Sequence, residues 1–221
     1  MQLAELPIPE PGPGQVLIRV EATGVNFIEI YFRKGTYKSS LPLIPGSEAA
    51  GTVEELGPGV TGFKAGDAVA SVSVLGSYAE YAVVAAVSLV KIPDGLSMEM
   101  AAACMLQGMT AHYLAYSTFP LKSGDTTLIH AAAGGVGLLL TQMATRIGAR
   151  VIATVSTAEK AELARAAGAQ EVILYSDQEF EPEVKRLTGG TGPLEAPNSA
   201  NRPRGRRQFR LPSNVVLPTE S

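Results

Sequence analysis

Ala133-Gly134-Gly135-Val136-Gly137 has the composition of a turn that holds phosphate. Glycines let a backbone come close to a pyrophosphate. A helix starting at such a turn offers free N–H groups and the positive end of its dipole. In a G-x-G-x-x-G frame, Ala132 takes the first glycine's place, and Gly134 and Gly137 take the others. The fingerprint is therefore a variant, and its context must support it. The competing reading is a tight turn that only lets a helix pack on a sheet. About 20 residues after such a turn, NAD sites carry an acid that holds the ribose 2′-OH. Here that place is Ser156-Thr157, the first acid is Glu159, and Lys160 follows it. A carboxylate would repel a 2′-phosphate, whereas a hydroxyl and an ammonium would accept one. These residue types favour NADPH. Ser156 and Thr157 also suit the N-cap of a following helix, and the two roles are compatible.

The flanking segments can position that turn. Thr126–Ala131 and Arg150–Ser156 are short runs rich in β-branched and apolar residues, as in strands buried on both faces. Between them Val136, Leu139, Leu140, Met143 and Ile147 recur at helical spacing. Thr141, Gln142, Thr145 and Arg146 fall on the other side, and Gly148 is placed to stop the helix. Strand, glycine turn, helix and strand make a βαβ unit. A second helix is expected over Ala158–Ala167, stopped by Gly168. A third parallel strand is expected over Glu171–Tyr175, and a last helix over Glu179–Leu187, closed by Gly189-Gly190.

The first hundred or so residues read differently. Short strand patterns cover Gln15–Glu21, Ala49–Leu56, Ala68–Val74, Gly76–Val84 and Leu89–Ile92, with glycine turns between them. A short helix is expected between Gly24-Val25-Asn26-Phe27 and Gly35. This spacing suggests a small, partly closed β barrel. Ser97 can cap a helix over Met98–Leu106. Gln107-Gly108-Met109-Thr110 is then expected to join it to a second helical stretch ending near Thr118.

The chain has 221 residues, 46% of them apolar and 18% charged, and a net charge of −3. That is ordinary globular composition, without a nucleic-acid or membrane bias. No apolar run reaches the roughly 18 residues of a membrane span, and the N-terminus lacks the pattern of a signal peptide. Cys104 is the only cysteine, which excludes an intrachain disulfide and a cysteine-based zinc site. A reducing, cytoplasmic setting is expected. His112 and His130 are the only histidines, and both read as packing residues in apolar settings.

Six segments occur in order: Gly24-Val25-Asn26-Phe27, Pro45-Gly46-Ser47-Glu48-Ala49-Ala50-Gly51, Gly62-x-x-x-Gly66-Asp67, Gly76-Ser77-Tyr78-Ala79-Glu80-Tyr81, Gln107-Gly108-Met109-Thr110-Ala111 and His130–Gly137. Together they resemble the zinc-independent quinone oxidoreductases, the ζ-crystallin-like branch of the medium-chain dehydrogenase/reductases, over about residues 1–192. The resemblance implies an α/β chain with a GroES-like β-barrel domain (1–107) and a Rossmann-type domain (108–192). It further implies NADPH bound in the cleft between them, a quinone or enone substrate, and a homodimer. Zinc-dependent relatives place a cysteine near Asn26 and a histidine near Ser47, so no metal is expected. Reduction without a metal needs a hydride donor and polar groups to hold the oxygen. By similarity, Asn26, Tyr31 and Tyr37 lie near the nicotinamide and the acceptor, with Tyr31 and Tyr37 binding it or donating the proton. The alternative for each tyrosine is a half-buried structural role. By similarity too, Gln107 and Thr110 approach the cofactor, Ala133–Gly137 take the pyrophosphate, and Ser156, Thr157, Lys160 and Tyr175 flank the adenosine 2′-phosphate and base.

The chain departs from the family after Gly192. Pro193-Leu194-Glu195-Ala196-Pro197 does not read as the fourth parallel strand, because prolines remove ladder donors. Residues 193–221 hold five prolines and five arginines and read as a disordered tail. The parallel sheet is therefore expected to be incomplete and hydride transfer to be reduced. Two other functions remain open on the sequence. One is a non-catalytic nucleotide-binding or dimerising fragment. The other is RNA binding through Arg202, Arg204, Arg206, Arg207 and Arg210; a solvated tail is preferred, since Phe209 is the one aromatic there to stack a base.

Overall fold

A computed structural model describes residues 2–190. The expected tail at 193–221, its five arginines and the question of a fourth parallel strand lie outside the described residues. The chain forms two compact units, one of Met1–Leu106 and one beginning at Gln107.

The first unit is an antiparallel sheet of β1 (Gln15–Thr23), β2 (Ala49–Leu56), β3 (Ala68–Ser71), β4 (Tyr81–Ala85) and β5 (Val90–Lys91). Their order is β4-β1-β2-β3-β5. β1 carries three consecutive buried residues, Val16, Leu17 and Ile18, so it packs on both faces. On one face, Val16, Ile18, Val53, Val69, Val74 and Val84 form a core. On the other, Ala50 and Ala70 meet Ala101 and Ala102 from the start of α2 (Met98–His112). Gly51 lets β2 close on β1, because a Cβ there would stand 2.1 Å from the Arg19 carbonyl. α1 (Phe27–Arg33) leaves the sheet after β1, with Asn26 as its extended N-cap.

Two expectations fail in this region. Gly76–Glu80 is not strand. Gly76 takes φ +82°, its N–H donates to the Gly46 carbonyl, and the Tyr78 N–H donates to the Pro45 carbonyl, so the segment folds back on the Pro45-Gly46 turn. Gln107-Gly108-Met109-Thr110 is not a joint either. α2 runs through it unbroken to His112 and continues as a wider π-helical turn over Tyr113–Thr118. A glycine inside a helix costs only about 1 kcal/mol relative to alanine. Burial of Ala111, Leu114 and Ala115 in the second unit's core outweighs that.

The second unit is a parallel sheet of β6 (Thr126–His130), β7 (Arg150–Val155) and β8 (Glu171–Leu174), in the order β6-β7-β8 among the described residues. β7 is central and buried on both faces. Val151, Ala153 and Val155 meet α3 (Gly135–Ile147) and α4 (Ala158–Ala166) on one face. Ile152 faces the other way, with Ile173 and with Val184 of α5 (Phe180–Leu187). The alternation is the two-residue period of a strand. Full burial of a valine or isoleucine contributes about 1.5–3 kcal/mol, so β7 anchors the unit. Gly148 ends α3 at φ +90°, where its N–H donates to the Thr145 carbonyl. Thr141, expected on the polar side of α3, is fully buried instead. No helix among the described residues is long and apolar enough to cross a membrane.

Candidate functional site

The three parallel strands end on the same side of their sheet, and the candidate nucleotide residues follow those ends. The register pairs His130 with Thr154 and Val155 with Leu174. Ala131 onward, Ser156 onward and Tyr175 onward therefore emerge side by side. This is the carboxyl edge, where ligands of open α/β sheets bind.

After β6 the chain turns sharply. Ala131 takes φ +50°, which costs a non-glycine residue about 1–2 kcal/mol. The Gly134 N–H donates to the Ala131 carbonyl at 2.8 Å, and the Ala132 N–H donates to Thr154 on β7 at 3.2 Å. Gly134 is the N-cap of α3 and offers no side chain to the first-turn N–H groups of Gly135, Val136 and Gly137. First-turn N–H groups of this kind are the donors that an anion can bind. Gly137 brings the helix onto the turn, since a Cβ there would stand 2.3 Å from the Ala131 carbonyl oxygen and 2.7 Å from the Ala132 Cα. Gln107 packs over Gly135, where a Cβ would meet its Cγ at 3.0 Å. Thr110 lies one turn further along α2, half-buried. Ala133 is half-buried within the turn itself.

At the end of β7, Lys160 Nζ donates to Ser156 Oγ at 3.1 Å, so a hydroxyl and an ammonium stand together. Thr157 caps α4, its Oγ1 accepting from the Lys160 N–H at 3.3 Å. Such a cap contributes about 1 kcal/mol. Of the two hydroxyls expected to cap or to bind, Thr157 is the cap, and Ser156 is turned to the lysine. Tyr175 is exposed, its N–H donating to the Val155 carbonyl at 3.1 Å. Its neighbour Ser176 was missed by the sequence reading. Ser176 Oγ donates to the Ser156 carbonyl at 2.9 Å and ties the two strand ends together.

His130, at the end of β6, packs edge-on against Phe180 and shares a 3.0 Å hydrogen bond between its Nδ1 and Thr154 Oγ1. Burial pushes its pKa below the ordinary histidine value. It is the packing residue expected. His112 is not in an apolar setting: it is exposed on α2, its ring centroid 4.6 Å from that of Tyr116.

In the first unit, Tyr31 and Tyr37 are half-buried and meet edge-on, with ring centroids 5.4 Å apart. The Tyr37 N–H donates to the Tyr31 carbonyl at 3.2 Å. Asn26 sits in a network of carboxyl groups that sequence reasoning missed. Its Nδ2 donates to Glu48 Oε1 at 2.8 Å, and its backbone N–H donates to Glu29 Oε2 at 2.8 Å. Ser47 Oγ donates to Glu29 Oε1 at 2.6 Å. Glu48 is fully buried and Glu29 nearly so. Tyr78 lies close by; burial first, then the charges of Glu29 and Glu48, push its pKa above the ordinary tyrosine value. A sequence signal for Glu29 exists: it stands at the third helical position after Asn26, the acid of a capping box. Glu48 adjoins an unbroken buried run, Ala49-Ala50-Gly51, where an acid is out of place unless it is bonded. Among the described residues, no group of three or more histidine, cysteine, aspartate and glutamate side chains is arranged to hold a metal ion.

Residues 12–94 match the alcohol dehydrogenase GroES-like domain family, and residues 135–196 match the zinc-binding dehydrogenase family. The chain is 50% identical to a quinone oxidoreductase of Pseudomonas aeruginosa over 183 residues, covering 82% of this chain and 56% of that protein. It is 45% identical to a 2-haloacrylate reductase of a Burkholderia species over 195 residues, covering 85% of this chain and 59% of that one. Among solved structures, an Escherichia coli quinone oxidoreductase complexed with NADPH superposes with a TM-score of 0.83 at 41% identity, covering 85% of this chain and 58% of that one. The chain thus spans less than two thirds of the length of these relatives.

Proposed function

Because this chain belongs to the quinone oxidoreductase branch of the medium-chain dehydrogenase/reductase superfamily, we propose that it acts in NADPH-dependent reduction of a quinone or a related α,β-unsaturated carbonyl. One observation carries the reading. The uncapped glycine turn at Gly134–Gly137 and the Ser156–Lys160 pair share the carboxyl edge of one parallel sheet.

The residues fit a nicotinamide dinucleotide phosphate. First-turn N–H groups at Gly135, Val136 and Gly137 suit a pyrophosphate, with Ala133 and Gly134 lending backbone that leaves it room. Ser156 Oγ and Lys160 Nζ suit a 2′-phosphate, and Tyr175 offers an exposed ring beside them for the base. Thr157 supports that corner by holding the start of α4. Gln107, which packs over Gly135, and Thr110, one helical turn further along α2, are assigned to the nicotinamide end by family similarity. When bound, the cofactor supplies the hydride.

The chain's own side chains then have two tasks. Asn26 orients the nicotinamide end. Tyr31 and Tyr37 hold the oxygen of the acceptor with hydroxyl donors, which stabilises negative charge developing there and can deliver the proton. Their edge-on packing restricts rotamer changes of either side chain, which limits how far the hydroxyls can move.

The test is NADPH oxidation by the purified chain, followed by the nicotinamide absorbance, with a simple benzoquinone and with an enone. Oxidation that depends on acceptor and is slower with NADH supports the proposal. No oxidation above the buffer rate, or equal rates with NADH, contradicts it.

A further inference from the structure

Backbone pairing between β7 and β8 ends where the Tyr175 N–H donates to the Val155 carbonyl at 3.1 Å. One residue further, both segments leave the sheet. Ser156 leads into Thr157, the N-cap of α4. Ser176 enters a turn in which the N–H groups of Asp177 and Gln178 donate to the Leu174 carbonyl, at 3.1 and 3.2 Å. The Ser176 hydroxyl spans this parting by donating to the Ser156 carbonyl at 2.9 Å. On the same residue, Ser156 Oγ accepts from Lys160 Nζ at 3.1 Å. Ser156 is thus held at its carbonyl by the β8 side and at its hydroxyl by α4. Lys160 and Ser176 are both exposed, so hydrogen bonds rather than packing fix where they stand.

A hydroxyl carries one proton, and Ser176 faces two acceptors. The second is Asp177 Oδ1, 3.0 Å from Ser176 Oγ. Donation to Asp177 releases the Ser156 carbonyl, and donation to Ser156 leaves the carboxylate to water.

We propose that Ser176 is a positioning residue for recognition of a 2′-phosphate, and that Asp177 moderates it. The Ser176 hydroxyl holds Ser156 where its Oγ and Lys160 Nζ stand together. Asp177 competes for that hydroxyl's proton and sets a negative charge close to where the phosphate docks. This rests on the reading that the Ser156–Lys160 pair takes the 2′-phosphate of NADPH, and it adds what keeps the pair in place and what limits its grip.

Two small probes test it without turnover. Adenosine 2′,5′-bisphosphate is the adenosine half of NADPH with its 2′-phosphate, and AMP lacks that phosphate. The affinity of the purified chain for each is measured by titration calorimetry. Ser176→Ala should weaken the bisphosphate about two- to fivefold, the worth of one exposed hydrogen bond, and leave AMP unchanged. Ser176→Thr keeps the hydroxyl and should bind as the wild type does. Asp177→Ala should bind the bisphosphate about two- to threefold more tightly at low salt, and added salt should shrink the gain by screening the charge. The double variant Lys160→Ala/Ser176→Ala carries the most weight. Because Ser176 acts through the Ser156–Lys160 pair, its loss should add nothing once Lys160 is gone.

No loss in Ser176→Ala, or equal losses for both probes, would overturn the inference. So would additive losses in the double variant, or weaker bisphosphate binding in Asp177→Ala. A wild-type chain that prefers the bisphosphate to AMP yet oxidises no NADPH would overturn the proposed function alone, and the variants would still decide the role of Ser176. Equal wild-type affinity for the two probes would overturn both.

Discussion

Gly137→Ala is the perturbation that bears most closely on the nucleotide turn. The added Cβ would stand 2.3 Å from the Ala131 carbonyl oxygen and 2.7 Å from the Ala132 Cα. Carbon–oxygen contacts in proteins close to about 3.3 Å, so the start of α3 must withdraw by about 1 Å. Neither obstacle is the end of a flexible side chain: both are backbone, and Ala131 is already held at φ +50°. Overpacking of this kind costs about 1–3 kcal/mol. The same withdrawal carries the first-turn N–H groups away from the Ala131–Gly134 turn, and a 1 Å misplacement in a site can cost about 100-fold. Gly134→Ala is the matched control. Its nearest obstacle is the Ala131 oxygen at 3.2 Å and its φ is −81°, so it fits with little strain, but its methyl would stand on the turn that the pyrophosphate approaches. Chemical denaturation and NADPH fluorescence titration separate the two. Gly137→Ala should lose about 1–3 kcal/mol of stability and bind NADPH at least about tenfold more weakly. Gly134→Ala should keep its stability within about 1 kcal/mol and still bind more weakly. Wild-type stability and affinity in Gly137→Ala would refute the close helix–turn packing, and wild-type affinity in Gly134→Ala would refute the phosphate role.

Lys160→Ala removes the ammonium beside Ser156 and should weaken NADPH binding by about tenfold while leaving NADH nearly unchanged; equal loss for both would show that the lysine does not read the 2′-phosphate. His130 should titrate below the ordinary histidine value of about 6.5 in an NMR pH series. The unfolded chain then takes up the proton first, so folding stability should be full above that value and fall as the pH drops from it toward the folded pKa; a midpoint at or above 6.5 would contradict the burial argument. Asn26 and Ser47 are bonded to Glu48 and Glu29 rather than arranged as ligands, so a chelator should leave the melting temperature and any reductase activity unchanged. Stoichiometric zinc in the purified protein would contradict that.

The second unit was largely legible because its signals are local and agree. The buried runs at Thr126 and Arg150, the period of α3 and Gly148 at its end all follow from short-range patterning. Ala49–Leu56 was equally plain, as a strand closed by glycine. The failures are places where a tertiary contact overrides the local pattern. Gly76–Glu80 looks β-like, yet its N–H groups are taken by the Pro45-Gly46 turn some thirty residues earlier in the chain. Gly108 looks like a break, but the residues after it have a core to enter, and the helix continues. Thr141 was placed with the polar face of α3, yet it is fully buried. In the second unit, the positions of the glycine turn, Ser156, Lys160 and Tyr175 at strand ends were readable, since patterning locates the strands they follow. Glu29 and Glu48 were not, because an acid in a sequence reads as surface until its donors are known. Asn26 stands three residues before Glu29 and gives a local signal, but the Ser47 donor to Glu29 and the Asn26 and Leu106 donors to Glu48 are brought into place only by the fold.

Isotope transfer tests the central claim most directly. The purified chain would be given NADPH carrying deuterium at C4 of the nicotinamide, in the position that is transferred, with an enone as acceptor, and the reduced product would be weighed by mass spectrometry. An enone is preferred to a quinone because deuterium delivered to carbon is kept, whereas deuterium on oxygen exchanges with water. The expected result is one deuterium per product molecule, formed faster from NADPH than from NADH and formed more slowly at limiting NADPH by Gly137→Ala, which binds the cofactor more weakly. Reduced product without deuterium, or no product while NADPH remains intact, would contradict the assignment of this chain to hydride transfer.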